Sequence, residues 1–319
     1  MARRQQTGLG NRILTALTLA LARAVMALLR ALGPDRAADL GGFLARQIGP
    51  RLKNHKTALH NLRTTFPDMD EAEVARIALA AWDNLGRTSL EYPHLRQLVD
   101  YDYYDPRPDR RVEVSGIDQF MALRDDGKPG VIFSAHLANW ELTAIAAARY
   151  GLDVTAIYRP PNHPVARRLG EEIRRETMGG LEASRPGAAF ALRKVLEAGG
   201  HLGMLIDQHF SRGVPVPFFG RTAVANPLLA VLARQFDCPV HGARAIRLPG
   251  HRFHLELTPP LDLPRDSDGR INVAGATAAM TAVVESWVRE YPEQWLWMHR
   301  RWRTPTADAR SRESARPAD

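Results

Sequence analysis

The hydrophobic pattern of this chain changes character near Val112. Before that point apolar residues recur at helical intervals; beyond it, short β-branched runs alternate with helix-length amphipathic stretches. The strands predicted by those runs are Val112 to Val114, Val131 to Ser134, Val154 to Tyr158, Leu202 to Ile206, Val240 to Arg247 and Phe253 to Leu257. Between them, Pro164 to Met178 and Pro186 to Ala198 read as helices, the second closed by Gly199-Gly200. Asn226-Pro227 opens another, with a capping residue and a first-turn proline. Strands that alternate with helices imply an α/β fold: a mostly parallel central sheet flanked by helices.

The first hundred residues are predicted to be helical. FPDMDEAEVARIALAAWDNL is the clearest ordinary helix: Asp70 with Glu73 forms a capping box, and Val74, Ile77, Ala78, Ala81 and Leu85 share one face. Ahead of it lie an apolar segment, Ala38 to Ile48, and a basic stretch carrying Arg51, Lys53, His55 and Lys56, which suits lipid phosphates or a plain solvated face. At the N-terminus, Ile13 to Ala22 is uncharged and apolar, and Arg12, Arg23 and Arg30 fall within about 20° of one another on a helix. A greasy cylinder with one cationic stripe fits a membrane element, either crossing at a tilt or lying in the interface. A cleaved signal peptide and a soluble core helix are the competing readings. The predicted organisation is an anchor helix over 1–34 and a main domain over 35–304, helical to 105 and α/β from 106. A disordered tail over 305–319 completes it.

Composition narrows the chemistry. With 45% hydrophobic and 24% charged residues the values are globular. The single cysteine, Cys238, excludes an internal disulfide and a Cys-based zinc cluster, and a net charge of +8 points to an anionic partner. No HExxH, carboxylate cluster or Gly-rich phosphate loop occurs, so neither a metal nor a bound cofactor is expected. Gly179-Gly180 reads as a helix terminator, and no nucleic-acid motif is present.

The stretch VIFSAHLANWEL concentrates the candidate chemistry. His136 and Glu141 sit where the Val131 strand hands over to the helix-like Asn139 to Arg149. Within one helix, five residues are a rotation of about 140°, so the two meet only if His136 is in the turn and the chain folds back over Glu141. In that geometry the carboxylate holds one ring nitrogen and leaves the other as a base. The alternative is a turn histidine beside a glutamate that caps a helix. If the strands run parallel, His136, Arg159 and Asp207 emerge along one sheet edge, where α/β folds place ligands.

HLANWE, YRPPNHP, LIDQ, VPFFG and YPEQWLWMHRRW, with NHKTALHNLRTTFPD in the N-terminal half, together resemble the late acyltransferases of lipid A biosynthesis over roughly residues 10–304. The His-to-acid step alone is shared with glycerolipid acyltransferases, which carry Asp in place of Glu, so the fold expected is glycerolipid-acyltransferase-like. The resemblance implies a bacterial inner-membrane enzyme with its catalytic domain facing the cytoplasm. It would transfer a lauroyl or similar chain from acyl carrier protein to a 3-hydroxyacyl hydroxyl of an anionic, Kdo-bearing lipid A precursor. His136 and Glu141 match the family's catalytic pair, and Arg159 and Asp207 match its YRP and DQ blocks. The YRPPN spacing departs from the shorter one in many members, which leaves Asn162 unassigned.

His136 is thus the expected general base, oriented by Glu141. Arg159, Asp207 and Asn139 are the expected substrate or oxyanion-binding residues, with Asp207 either locking Arg159 or forming a structural salt bridge. VPVPFFG reads as the wall of an acyl groove or as a packed loop. Trp295, Trp297 and Trp302 among Arg300, Arg301 and Arg303 suit a headgroup layer or an edge strand. The competing functions are an acyltransferase for another polar lipid, a hydrolase, and a non-catalytic binder of anionic lipid.

Overall fold

The computed structural model describes residues 9–105, 107, 109–185 and 187–302, with side chains on the first helix from Leu14 onward. The tail expected over 305–319, and Arg303, lie outside the described residues. Five helices come first: α1 (Leu9–Leu32), α2 (Pro34–Ile48), α3 (Lys53–Thr65), α4 (Glu71–Glu91) and the short α5 (Leu95–Leu98). The α/β part follows as β1 (Val112–Ser115), α6 (Ile117–Asp125), β2 (Gly130–Ser134), α7 (Glu141–Arg149), β3 (Val154–Tyr158), α8 (Pro164–Thr177), β4 (Gly180–Ala183), α9 (Ala188–Glu197) and β5 (His201–Leu205). It ends with β6 (Val214–Phe218), β7 (Arg221–Ala225), α10 (Leu228–Phe236), β8 (Val240–Leu248), β9 (Arg252–Leu257) and α11 (Val273–Glu290).

Seven strands form one sheet in the order β1-β9-β8-β2-β5-β3-β4, parallel throughout except for the β8–β9 hairpin. The α/β fold with a mostly parallel sheet is therefore as the pattern predicted. β2 is central and buried at every residue, which is why it reads as a continuous apolar run rather than an alternating one. On one face Phe133 stacks on Trp287 of α11, in a core shared with α3, α4, α10 and the β6–β7 ribbon. α6, α7 and α8 cover the other face.

Several expectations need correction. Gly180 begins β4 rather than only ending a helix: a Cβ there would meet the Thr155 side chain of β3 at 2.3 Å, so the glycine permits the strands to pair. VPVPF is strand β6 of a separate two-stranded ribbon. Pro215 and Pro217 face solvent while Val216 and Phe218 point inward, and a ribbon with one neighbour tolerates prolines whose missing N–H would have pointed outward. This ribbon packs on α11 and the tryptophans and takes no part in the wall of the apolar cleft beneath α6 and α7. Trp295, Trp297 and Arg301 are buried, so they are core and not a headgroup layer; among the described residues of that group Arg300 alone is exposed.

The helical part rests on α4. Half of the capping box is as read: Asp70 Oδ1 accepts from the Glu73 amide at 2.7 Å, while the Glu73 carboxylate pairs with Arg76; Val74, Ile77, Ala78 and Ala81 are buried. α2 crosses α4 with backbones almost touching: a Cβ at Gly86 would lie 2.1 Å from the Gly41 carbonyl oxygen, and one at Gly41 2.2 Å from that of Gly86. Alanine at 86 would gain about 1 kcal/mol of helix propensity. Against that, overpacking against backbone that cannot swing aside costs about 1–3 kcal/mol. Gly86→Ala is expected to lower the thermal midpoint in detergent, followed by circular dichroism; an unchanged or raised midpoint would contradict this close crossing.

Candidate active site

The parallel β2–β5 ladder builds the site. Ser134 is the register partner of Leu205, and His136 and Asp207 each lie two residues further on, so the two side chains leave the sheet at one level. His136 Nδ1 is 2.7 Å from Asp207 Oδ1, and the His136 backbone N–H donates to Oδ2 at 2.9 Å. The Trp295 indole N–H donates to the same Oδ2 at 2.8 Å. Asp207 is 4% exposed. Burial would raise its carboxyl, but His136, by charge and hydrogen bonds, and the Trp295 indole outweigh that and hold it well below the usual carboxylate range.

An ionised Asp207 accepts a hydrogen bond from Nδ1–H, which leaves the lone pair of a neutral imidazole on Nε2. The Gln208 side-chain amide stands 3.2 Å from that nitrogen. The Trp140 ring packs edge-on against the imidazole, with centroids 5.0 Å apart.

Glu141 does not hold the ring as expected. It is the first residue of α7, and both its oxygens are engaged elsewhere: Arg174 of α8 donates Nη2–H to Oε1 at 2.6 Å and Nε–H to Oε2 at 3.0 Å. Tyr92 OH donates to Oε1 at 2.6 Å, and the Trp140 indole to the same oxygen at 3.2 Å. Burial opposes the Arg174 charge, yet the Glu141 carboxylate more than offsets it and raises the guanidinium above its ordinary value. Burial and the same carboxylate push the Tyr92 hydroxyl up, so it remains a donor.

Asn139 is likewise not a substrate contact. It is fully buried, donating to Glu91 Oε2 at 2.8 Å and accepting from the Glu141 amide at 3.3 Å, while Arg247 pairs with Glu91 at 2.5 Å. Together with Asn84 and Thr88, which donate to the Ala138 carbonyl, this network pins the turn. Ala138 needs that support, since it sits at φ 47°, a left-handed conformation costing an alanine on the order of 1 kcal/mol. Arg159 emerges at the same sheet edge, exposed, with no ion pair or hydrogen bond to another described residue. Asp207 therefore does not lock it.

Beneath α6 and α7, against the sheet, lies a cleft of about 160 Å³. Its wall is apolar, including Phe120, Ile132, Ala147, Ala156, Leu205 and Leu255, and Trp140, Glu141 and Arg174 are its polar end. His136 is not in the wall; Trp140 stands between. The Ser134 hydroxyl is: it is buried, faces this cleft and has no hydrogen-bond partner. Cys238 is remote and buried, and burial pushes its thiol up to about 11, which makes it a poor nucleophile. Among the described residues no group of three or more His, Cys, Asp or Glu side chains is arranged to hold a metal ion.

Arg174, Tyr92 and Gln208 were not singled out from sequence, and Trp295 was named for a headgroup layer or an edge strand and not as a partner of Asp207. Gln208 and Trp295 lay inside quoted blocks, whereas Arg174 is one of several arginines along ARRLGEEIRRET with no local mark.

Comparison with known proteins identifies the family. Residues 10–304 match the family described as bacterial lipid A biosynthesis acyltransferase. A lipid A biosynthesis acyltransferase of Haemophilus influenzae is 24% identical over 289 residues, 85% of this chain and 83% of that protein. The lipid A biosynthesis lauroyltransferase of Escherichia coli is 26% identical over 79% of this chain and 80% of its own length. The palmitoleoyltransferase of the same organism is 26% identical over 82% and 84%. With nearly its whole described length matched to that family, this chain belongs to the bacterial lipid A biosynthesis acyltransferases.

Proposed function

We propose that the enzyme moves a fatty acyl chain from an acyl carrier protein thioester to a 3-hydroxyacyl hydroxyl of a Kdo-bearing lipid A precursor at a bacterial inner membrane. The observation that carries this reading is the His136–Asp207 pair, whose Nε2 lone pair lies one indole away from an apolar cleft. Nε2 removes the hydroxyl proton as the acceptor oxygen attacks the thioester carbonyl. The tetrahedral intermediate then expels the thiolate, which takes the proton back from the imidazolium. No acyl-enzyme is needed.

The acyl chain lies in the cleft along α7, whose nine residues span about 13 Å. Glu141, neutralised by Arg174, forms the rigid polar mouth of that cleft, and its contribution to catalysis is exercised through Trp140 and the turn. Arg159, exposed at the end of β3, contacts an anionic part of one substrate. The two Escherichia coli relatives are named for different chains, so family membership leaves the length open.

The direct test supplies detergent-solubilised enzyme with labelled acyl carrier protein and a tetra-acylated Kdo-lipid A precursor. A heavier lipid is expected, and His136→Ala should lose about 10²- to 10⁴-fold in kcat at unchanged expression. Free fatty acid without lipid product would overturn the transfer reading, and a full rate in the variant would overturn the base assignment.

Asp207→Asn should cost a comparable factor, because the amide no longer fixes the tautomer. It should also change acid stability in a defined direction. The Asp207 carboxyl lies below its unfolded value, so its stabilisation is present above about pH 4 and fades as pH falls. The stability gap between wild type and Asp207→Asn, read from urea midpoints, should therefore narrow on acidification; a widening gap would contradict the buried pair.

The Ser134 hydroxyl, unpartnered in the wall of the cleft, is assigned the role of donor to the thioester carbonyl. Ser134→Ala should lower kcat about ten- to a hundredfold with little change in folding stability. An unchanged kcat would remove Ser134 from the reaction.

A further inference from the structure

α1 and α2 turn most of their large apolar side chains away from the protein. On α1, Leu14, Leu17, Leu21, Val25 and Leu28 are exposed and fall within a sector of about 80°. Arg23 and Arg30 lie on the opposite side, and Arg23 pairs with Glu172 of α8. The stretch Leu14–Leu32 is long and apolar enough to cross a membrane. On α2, Leu40, Phe43, Leu44 and Ile48 are exposed, with Phe43 and Ile48 each 52% accessible, and Leu52 continues the surface beyond the helix end. The opposite requirement is met by Ala37, Ala38, Gly41 and Gly42, which are buried, the glycines against α4. α2 has thus given its small residues to the protein and its large apolar residues to the outside. A water-facing helix is expected to do the reverse.

What covers α2 follows from its attachment. Only Gly33, at φ 81°, separates the two helices, and Pro34 starts the second. If α1 enters a bilayer, α2 begins at the headgroup level and has no length of chain in which to leave it. Arg36, Arg51, Lys53 and Lys56 are exposed around this face and ion-paired to no described residue, as an anionic surface would require.

We propose that α2 is a second membrane-contact element, lying in the boundary between headgroups and acyl chains of an anionic phospholipid bilayer, with Phe43, Leu44 and Ile48 inserted. This rests on the reading that α1 enters the membrane. It adds a fixed orientation, since two non-collinear helices define a plane where one leaves the protein free to swing.

The single native cysteine is buried, so a Cys238→Ala background allows one fluorescent label at a time. The full chain carrying Leu17→Cys, Phe43→Cys, Ile48→Cys or, on the exposed face of α10, Val231→Cys is labelled with an environment-sensitive dye. It is reconstituted in phosphatidylethanolamine vesicles containing a minor fraction of phosphatidylglycerol and spin-labelled lipid. Quenching at 43 and 48 by shallow spin labels, absent at 231, is expected. Quenching at 17 without 43 and 48 overturns the proposal and leaves the anchor reading standing. Silence at all sites overturns both, and equal quenching at 231 shows contact not confined to this face and also overturns the proposal. As a second measure, Phe43→Ser with Ile48→Ser should raise the apparent KM for vesicle-embedded acceptor by at least about tenfold while kcat on detergent-dispersed acceptor is unchanged. An unchanged KM on vesicles would overturn the proposal.

Discussion

The parallel pairing of β2 with β5 is the constraint on which the site depends. A parallel ladder sets equal residue counts on neighbouring strands at equal heights, so a histidine and an aspartate each two residues past the paired Ser134 and Leu205 must meet. Slipping that register by one residue would turn one of the two side chains to the opposite face of the sheet. The same pairing explains how Asp207 remains ionised while almost wholly buried. A carboxylate in that position is costly unless its lone pairs are filled, and the imidazole, the His136 amide and the Trp295 indole fill them.

Two further buried carboxylates hold the turn between β2 and α7. Glu91 is met by Arg247 and Asn139, and Glu141 by Arg174, Tyr92 and Trp140. Neither ion pair is a strong argument for stability, because desolvation consumes much of its attraction. Their effect is geometric: with Asn84 and Thr88 on the Ala138 carbonyl, they keep a left-handed alanine where a relaxed backbone would swing His136 away from Asp207. The turn can be strained because the surrounding bonds leave it no alternative.

Much of this fold was legible in the sequence because the signals are local. Six strands of the main sheet, the Asp70 cap of α4 and the common edge for His136 and Asp207 follow from runs, caps and the alternation of strand with helix. β4 and the β6–β7 ribbon were not legible, because their glycines and prolines carry the opposite local message and are overruled by a neighbouring strand. α11 was not picked out either; VAGATAAMTAVV is so rich in small residues that its buried face has little contrast with the rest. At the site, His136 was visible, but its partner was misassigned to the residue five positions away. A hydrogen bond made across 71 residues leaves no trace in spacing, whereas a nearby acid always offers itself.

α8 links α1 to the site. Its Arg174 holds Glu141 at the mouth of the cleft, and two residues earlier in the same helix Glu172 pairs with Arg23 of α1. A second connection runs in parallel: the Leu29 carbonyl of α1 is 3.0 Å from His94 Nε2, and Tyr92, two residues before, donates to Glu141. The exposed Arg23 pair is worth little in energy by itself. The buried His94 contact lies where α1 meets the body, and Leu29 is buried with it. The end of the apolar helix and the polar mouth of the cleft are therefore fastened to the same two segments. A helix seated in a bilayer would carry the cleft mouth with it at a fixed height, which is the geometry required to bring a lipid hydroxyl to His136 without lifting the lipid out of the membrane.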